Sequence, residues 1–166
     1  VEALRDKVNT EGFSFENTYF QLTEDITLPT GWKPIGVTKD GRKDLKNGEN
    51  LNAFSGIFDG NNHTVTVPEG GLPLFGYVRN TRIRNLNIYG KKIAGYGLVN
   101  NFEGVGLSGM AVEIDNVTLK SGSSTLKSGL LGANKTMSPY AGCSSAFEAT
   151  VRNCTIEKDV VIGYDR

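Results

Sequence analysis

Three segments of this chain superpose residue for residue: Ile83-Arg84-Asn85-Leu86-Asn87-Ile88, Ile114-Asp115-Asn116-Val117-Thr118-Leu119 and Val151-Arg152-Asn153-Cys154-Thr155-Ile156. Each keeps an asparagine between apolar residues. Asn is disfavoured inside a strand, so its return at one phase marks a turn whose side chain bonds backbone groups or its own neighbours. The apolar-x-apolar part of the element extends upstream as Ile26-Thr27-Leu28 and Val65-Thr66-Val67, with starts 39, 21, 31 and 37 residues apart. Period-two alternation of aliphatic residues reads as short strands. Irregular repeats longer than about 20 residues, without a long helical pattern, point to a solenoid with loops of unequal length.

A second element precedes the three later strands: "GLPLFGYV" from Gly71, "GYGLVNNF" from Gly95 and "SGLLGANK" from Ser128. From Leu74, Leu98 and Leu130 to Ile83, Ile114 and Val151 the gap grows through 9, 16 and 21 residues, so loops lengthen at one corner. Such loops are where repeat proteins place variable function. The expected fold is all-β, a short parallel β-helix of about five coils stacked about 4.8 Å apart. A β-sandwich accounts for the strands but not for the returning Asn. In the β-helix reading Asn85, Asn116 and Asn153 form a ladder at one corner, with Asp25 and Thr64 in the same place on the first two coils. Arg84, Asp115 and Arg152 then stack outward with alternating charge. Residues 1–12 are expected to form an amphipathic helix that caps the N-terminal end, using Ala3, Leu4 and Val8, with Gly12 ending it. Residues 13–166 are expected to form a single β-helix domain excised from a longer protein.

The blocks "YFQLTEDITL" (19–28), "WKPIG" (32–36), "FSGIFDGNNHTV" (54–65), "LFGYV" (74–78) and "RIRNLNI" (82–88) come in an order that resembles the right-handed β-helix segments of bacterial surface and secreted proteins with GLUG-type repeats. Gly129-Leu130-Leu131-Gly132 fits the glycine-bounded core of that repeat, whereas "GLVNN" departs from it. The similarity covers roughly residues 15 to 157, interrupted by long loops at 37–53, 100–111 and 133–147. It implies right-handed coiling, an extracellular or bacterial cell-surface location, and an adhesin-like module in adhesion or as a structural spacer. The implied partner is a host or cell-wall glycan or a surface protein. The family implies no single activity.

Eighteen basic and eighteen acidic residues cancel, which removes any charge-driven case for nucleic acid. No stretch approaches the roughly 20 apolar residues of a membrane span, so this segment is not expected to insert into a membrane. Glycoside hydrolysis needs two carboxylates about 5 to 9.5 Å apart, and no clustered acidic pair stands out. Asp59 reads as a turn residue, Asp115 as an ion-paired one, and Arg84 and Arg152 recur at a repeat position, which favours structure over a lyase base. His63 is the only histidine and lies in a glycine-rich turn. "DGNN" lacks the glutamate that closes an EF-hand loop, and one His with two Cys lacks zinc spacing. No catalytic residue, cofactor or metal is therefore assigned. Cys154 reads as a small core residue, with a Cys143–Cys154 disulfide as the alternative.

Asn-x-Thr sequons fall at Asn62, Asn116, Asn134 and Asn153, and those at 116 and 153 are discounted for glycosylation as inward-facing. The outward positions Thr27, Thr66, Asn87, Thr118 and Thr155 form one column, too interrupted for an ice-binding array. Trp32, Tyr89, Tyr96 and Tyr140, with Tyr164, lie outside the aliphatic strand pattern and are the candidate contacts for a sugar.

Overall fold

The computed structural model describes residues 1–38, 51–103, 112–127, 129–134 and 149–163. One short helix, α1 (Glu2–Asn9), precedes the strands β1 (Tyr19–Gln21), β2 (Ile26–Thr27), β3 (Val37–Thr38), β4 (Leu51–Asn52), β5 (Ile57–Asp59), β6 (Thr64–Thr66), β7 (Phe75–Arg79), β8 (Arg82–Tyr89), β9 (Val99–Glu103), β10 (Val112–Leu119), β11 (Ser124–Thr125), β12 (Leu131–Asn134), β13 (Ala149–Arg152), β14 (Thr155–Ile156) and β15 (Val161–Ile162). The chain is thus β-rich, and its three main sheets are parallel and unclosed.

The largest sheet has eight strands and runs β1-β5-β8-β10-β13, with β2 and β6 extending it beside β8 and β14 beside β10. A second sheet runs β7-β9-β12, and β11 pairs with β15. Among the described residues only the short β3–β4 pair is antiparallel. Successive passes bring like residues side by side. Phe20, Phe58, Ile83, Ile114 and Val151 form one row, and Ile26, Val65, Ile88, Leu119 and Ile156 another. In the second sheet Phe75, Val99 and Leu131 form a third. These rows line one contiguous core, in which Ile83, Ile88, Ile114, Phe75 and Val99 are fully buried. Each such side chain contributes roughly 1.5–3 kcal/mol on leaving water.

The row pattern corrects one register. Val65 lies beside Ile88, not Leu86, and Thr64 beside Asn87. The turn between Asp59 and Thr64 holds two residues more than the bend between Arg84 and Asn87, so the pairing slips by two and every side chain keeps its face. Asp25 and Thr64 therefore do not occupy the Asn position. Thr27 and Thr66 join Tyr89 in one outward row, while Thr64, Asn87, Thr118 and Thr155 form the neighbouring one. The expected column of Thr27, Thr66, Asn87, Thr118 and Thr155 is in fact two.

The helix lies against the first passes. Val8 is fully buried and Val1 and Leu4 pack against the core, whereas Ala3 is exposed. Asn9 fixes the helix end: its Nδ2 donates to the Pro34 carbonyl, its Oδ1 accepts from the Gly36 N–H at 2.7 Å, and its carbonyl accepts from Asn52 Nδ2. Gly12 adopts φ 77°, as expected of the residue that reverses the chain.

Gly76, Asn100 and Gly132 occupy equivalent places in the second sheet, so Asn100 stands where the repeat otherwise has glycine. Its side chain folds back, and Oδ1 accepts a hydrogen bond from the Tyr96 N–H at 3.3 Å. The long loops expected to carry function fall largely on 39–50, 104–111 and 135–148, outside the described residues, as do Cys143, Tyr140 and Tyr164.

Gly36 and Gly31 separate conformation from space. Both have positive φ, 87° and 77°, but a Cβ on Gly36 would collide with the Tyr77 carbonyl oxygen while one on Gly31 meets open space. Gly31→Ala should cost about 1 kcal/mol from the left-handed backbone alone, and Gly36→Ala about 2–4 kcal/mol once overpacking is added. Urea denaturation of the two variants checks the difference; equal losses would contradict the close approach.

Candidate functional site

Asn85, Asn116 and Asn153 share a left-handed backbone, with φ of 51°, 54° and 53°. Few residues besides Gly, Asn and Asp tolerate that region, because other side chains clash with the backbone there. The bend does not separate two strands in the middle passes: β8 and β10 run straight through Asn85 and Asn116, and only the last pass breaks, between β13 and β14. Asn116 Nδ2 donates to Asn85 Oδ1 at 2.9 Å, and Asn85 Nδ2 donates to Asp59 Oδ1 at 3.2 Å. Asn153 Nδ2 instead donates to Asp115 Oδ1, at 2.9 Å. The amide chain is therefore Asp59–Asn85–Asn116, and Asn153 hangs from a carboxylate. Asn116 and Asn153 are exposed at the surface, so burial does not discount their sequons. What occupies them is these hydrogen bonds.

Asp59 is the hub of this corner and only 4 % exposed. It accepts from the Asn61 N–H at 2.8 Å, Arg84 Nε at 2.8 Å and the Tyr19 hydroxyl at 3.0 Å, besides Asn85. Burial acts most strongly on this carboxyl and favours its neutral form, but the four donors together hold it below its ordinary pKa. An arginine and three other donors thus occupy the carboxylate of the "DGNN" turn. The strand register continues the charge pattern as Asp59, Arg84, Asp115, Arg152. Arg152 Nε lies 3.0 Å from Asp115 Oδ2. The Asn153 amide, followed by Arg152, holds Asp115 below its ordinary pKa.

Beside this corner, on the outer face of the large sheet, lies a shallow cleft of about 390 Å³. Its floor is the row Thr27, Thr66, Tyr89, and its walls include Asp25, Thr64, Lys120, Ser121 and Glu157. Among the described residues the hydroxyls of Thr27, Thr66 and Tyr89 have no hydrogen-bond partner. The charges are tied down. Asp25 Oδ1 accepts from the Thr64 N–H at 2.9 Å and faces His63 Nδ1 at 3.1 Å; the Thr64 bond first and His63 second lower its pKa. Glu157 takes Lys120 Nζ at 2.6 Å and the Ser121 N–H at 2.8 Å, and its pKa is lowered mainly by Lys120.

Two carboxylates thus share a cleft, but they sit on the first and last passes. Four strand steps from Ile26 to Ile156 place them roughly 19 Å apart, well beyond the 5–9.5 Å of a glycosidase pair. Asp59 and Asp115 are closer, roughly 10 Å apart across two strands, but Arg84 stands between them and Asp59 is buried. All four acids are held in the ionised form, which leaves none as a general acid near neutral pH.

Of the candidate sugar contacts among the described residues, the cleft contains only Tyr89, which is 36 % exposed. Trp32 is corrected to a core anchor. It is 2 % exposed, its Nε1 donates to the Pro73 carbonyl at 3.2 Å, and Arg5 covers its ring at 5.1 Å. Tyr96 is half-buried against Gly132 and lies away from the cleft. Tyr140 lies outside the described residues. Cys154 is a free thiol, half-buried rather than fully so, and packs against the core. The threonine floor was missed because the two-residue slip is invisible until the turn at 60–63 is seen folded.

Asn116 allows the backbone and amide roles to be separated. Asn116→Ala should cost about 1–2 kcal/mol through left-handed strain and the lost bond to Asn85. Asn116→Gly should cost less, since glycine keeps the backbone at ease. Chemical denaturation decides; equal losses would contradict a conformational role. For acid, the folded pKa values of Asp25, Asp59, Asp115 and Glu157 all lie below their ordinary ones. Their stabilisation is complete above the unfolded values near about 4 and is lost as pH falls through the folded ones. The urea midpoint should hold from pH 7 to 5 and fall below about 4, less steeply in Asp115→Asn.

No protein-family model matches this chain, and no curated protein or solved structure matches it.

Proposed function

We propose that the stacked parallel passes form a short right-handed β-helix serving as a non-catalytic module of an exported bacterial surface protein, in adhesion or as a structural spacer. The observation that carries this reading is the use of the carboxylates: Asp59, Asp115, Asp25 and Glu157 each accept several donors, as structural groups do. The GLUG-type resemblance supports the exported setting. A second reading is a glycan-binding module, and the cleft favours it. Unpaired hydroxyls beside an exposed tyrosine face suit a neutral polyhydroxylated ligand, while the Lys120–Glu157 pair leaves little field for a polyanion.

A polysaccharide-degradation assay and a glycan array test both readings. The chain should release no reducing ends or unsaturated products; release that disappears in Asp25→Asn or Glu157→Gln would overturn the non-catalytic reading. Neutral glycans bound by the chain and lost at least tenfold in Tyr89→Ala would establish the second reading over the spacer.

A further inference from the structure

The cleft beside Tyr89 has a direction. Next to the core row Ile26, Val65, Ile88, Leu119 and Ile156, the following residue on each pass is Thr27, Thr66, Tyr89, Lys120 and Glu157. The pairing holds past the strand ends. The Lys120 N–H donates to the Ile88 carbonyl at 2.8 Å, and the Glu157 N–H to the Leu119 carbonyl at 3.0 Å. One outward side chain from each of five passes therefore lies in a single row, and all five line the cleft. β2 and β14 hold two residues each, so this surface is short along the strands and long across them. Four strand steps make the row roughly 19 Å long.

The row repeats hydrogen-bonding groups at the strand spacing of about 4.8 Å. Thr27, Thr66 and Tyr89 bring hydroxyls that both donate and accept. Lys120 Nζ keeps N–H groups beyond the one that meets Glu157 at 2.6 Å, and the Glu157 oxygens keep further lone pairs. Tyr89 sits in the middle, and its ring extends toward the next pass, where a Cβ on Gly122 would lie 3.7 Å from it. A straight chain of sugars matches such a row. An extended glycan with equatorial linkages, such as a β-1,4-linked hexose chain, advances by close to one strand spacing per residue. Its hydroxyls then come round in step with the passes, and its C–H faces suit the tyrosine ring. An α-1,4-linked chain curves and leaves the row. Asp25 and Glu157 against one Lys120 disfavour a polyanion.

We propose that this row is the track for an unbranched, neutral, β-linked glycan that lies across the strands, about one sugar residue to each pass. The proposal rests on the glycan-binding reading and adds the linkage, direction and length of the ligand.

Calorimetry with β-1,4-linked oligosaccharides of glucose, mannose and N-acetylglucosamine, from two to five residues, tests it on the full chain. In at least one series affinity should rise at least tenfold from the disaccharide to the pentasaccharide. The α-1,4-linked glucose pentasaccharide should bind at least tenfold more weakly than that β-linked one. Thr27→Val removes a hydroxyl from an exposed position at the end of the row and should weaken the pentasaccharide more than the disaccharide. Equal binding of the two lengths, equal binding of the two linkages, or equal losses in Thr27→Val would each overturn the track and leave the glycan-binding reading standing. If none of these oligosaccharides binds, a glycan array separates the two: another glycan bound through Tyr89 overturns the track alone, and no glycan bound overturns both.

Discussion

The structure depends on a bend repeated in register. Three asparagines hold the left-handed conformation at the same point of three successive passes, and a left-handed residue in mid-strand redirects the chain without ending its ladder. Since the bend recurs at one phase, the strands on either side stay aligned with their counterparts. Rows of like residues then follow, and with them a continuous core. The side-chain hydrogen bonds from Asn116 to Asn85 and on to Asp59 couple neighbouring passes, so the conformation of one supports the next.

That coupling also explains how the charged residues are used. Alternating acids and arginines at the position before the Asn place opposite charges on adjacent strands, where they attract at strand spacing. A carboxylate so placed is anchored, ionised and poorly suited to deliver a proton. On the neighbouring half of the large sheet, threonine hydroxyls and Tyr89 face outward around a cleft whose charges pair with each other. In the proposed glycan-binding reading, recognition there comes from hydroxyl chemistry and an aromatic face more than from net charge.

Stacked sheets that do not close must manage their ends. Here a helix is tied down through Asn9 beside the first passes, while among the described residues Val151, Ile156 and Ile162 on the last strands are more exposed than their row-mates Ile114, Leu119 and Thr125.

Strand positions, the short N-terminal helix, the recurring Asn and the alternating charges were legible in the sequence because each is a local or periodic signal: alternation of two, four-residue spacing, identity at fixed phase. The register of the second pass was not. It depends on how many residues the turn between Asp59 and Thr64 absorbs, and Asn61 and Asn62 in consecutive left-handed conformations absorb two more than the bends at Asn85 and Asn116. Exposure was equally out of reach. Trp32 is buried because residues 5 and 73 close over it, and Asn116 and Asn153 lie outside because a left-handed bend turns the side chain away from the core. Sequence by itself determined which residues repeat; tertiary structure decided which of them meet, because partners 25 to 40 positions apart are set by loop and turn lengths that no local pattern encodes.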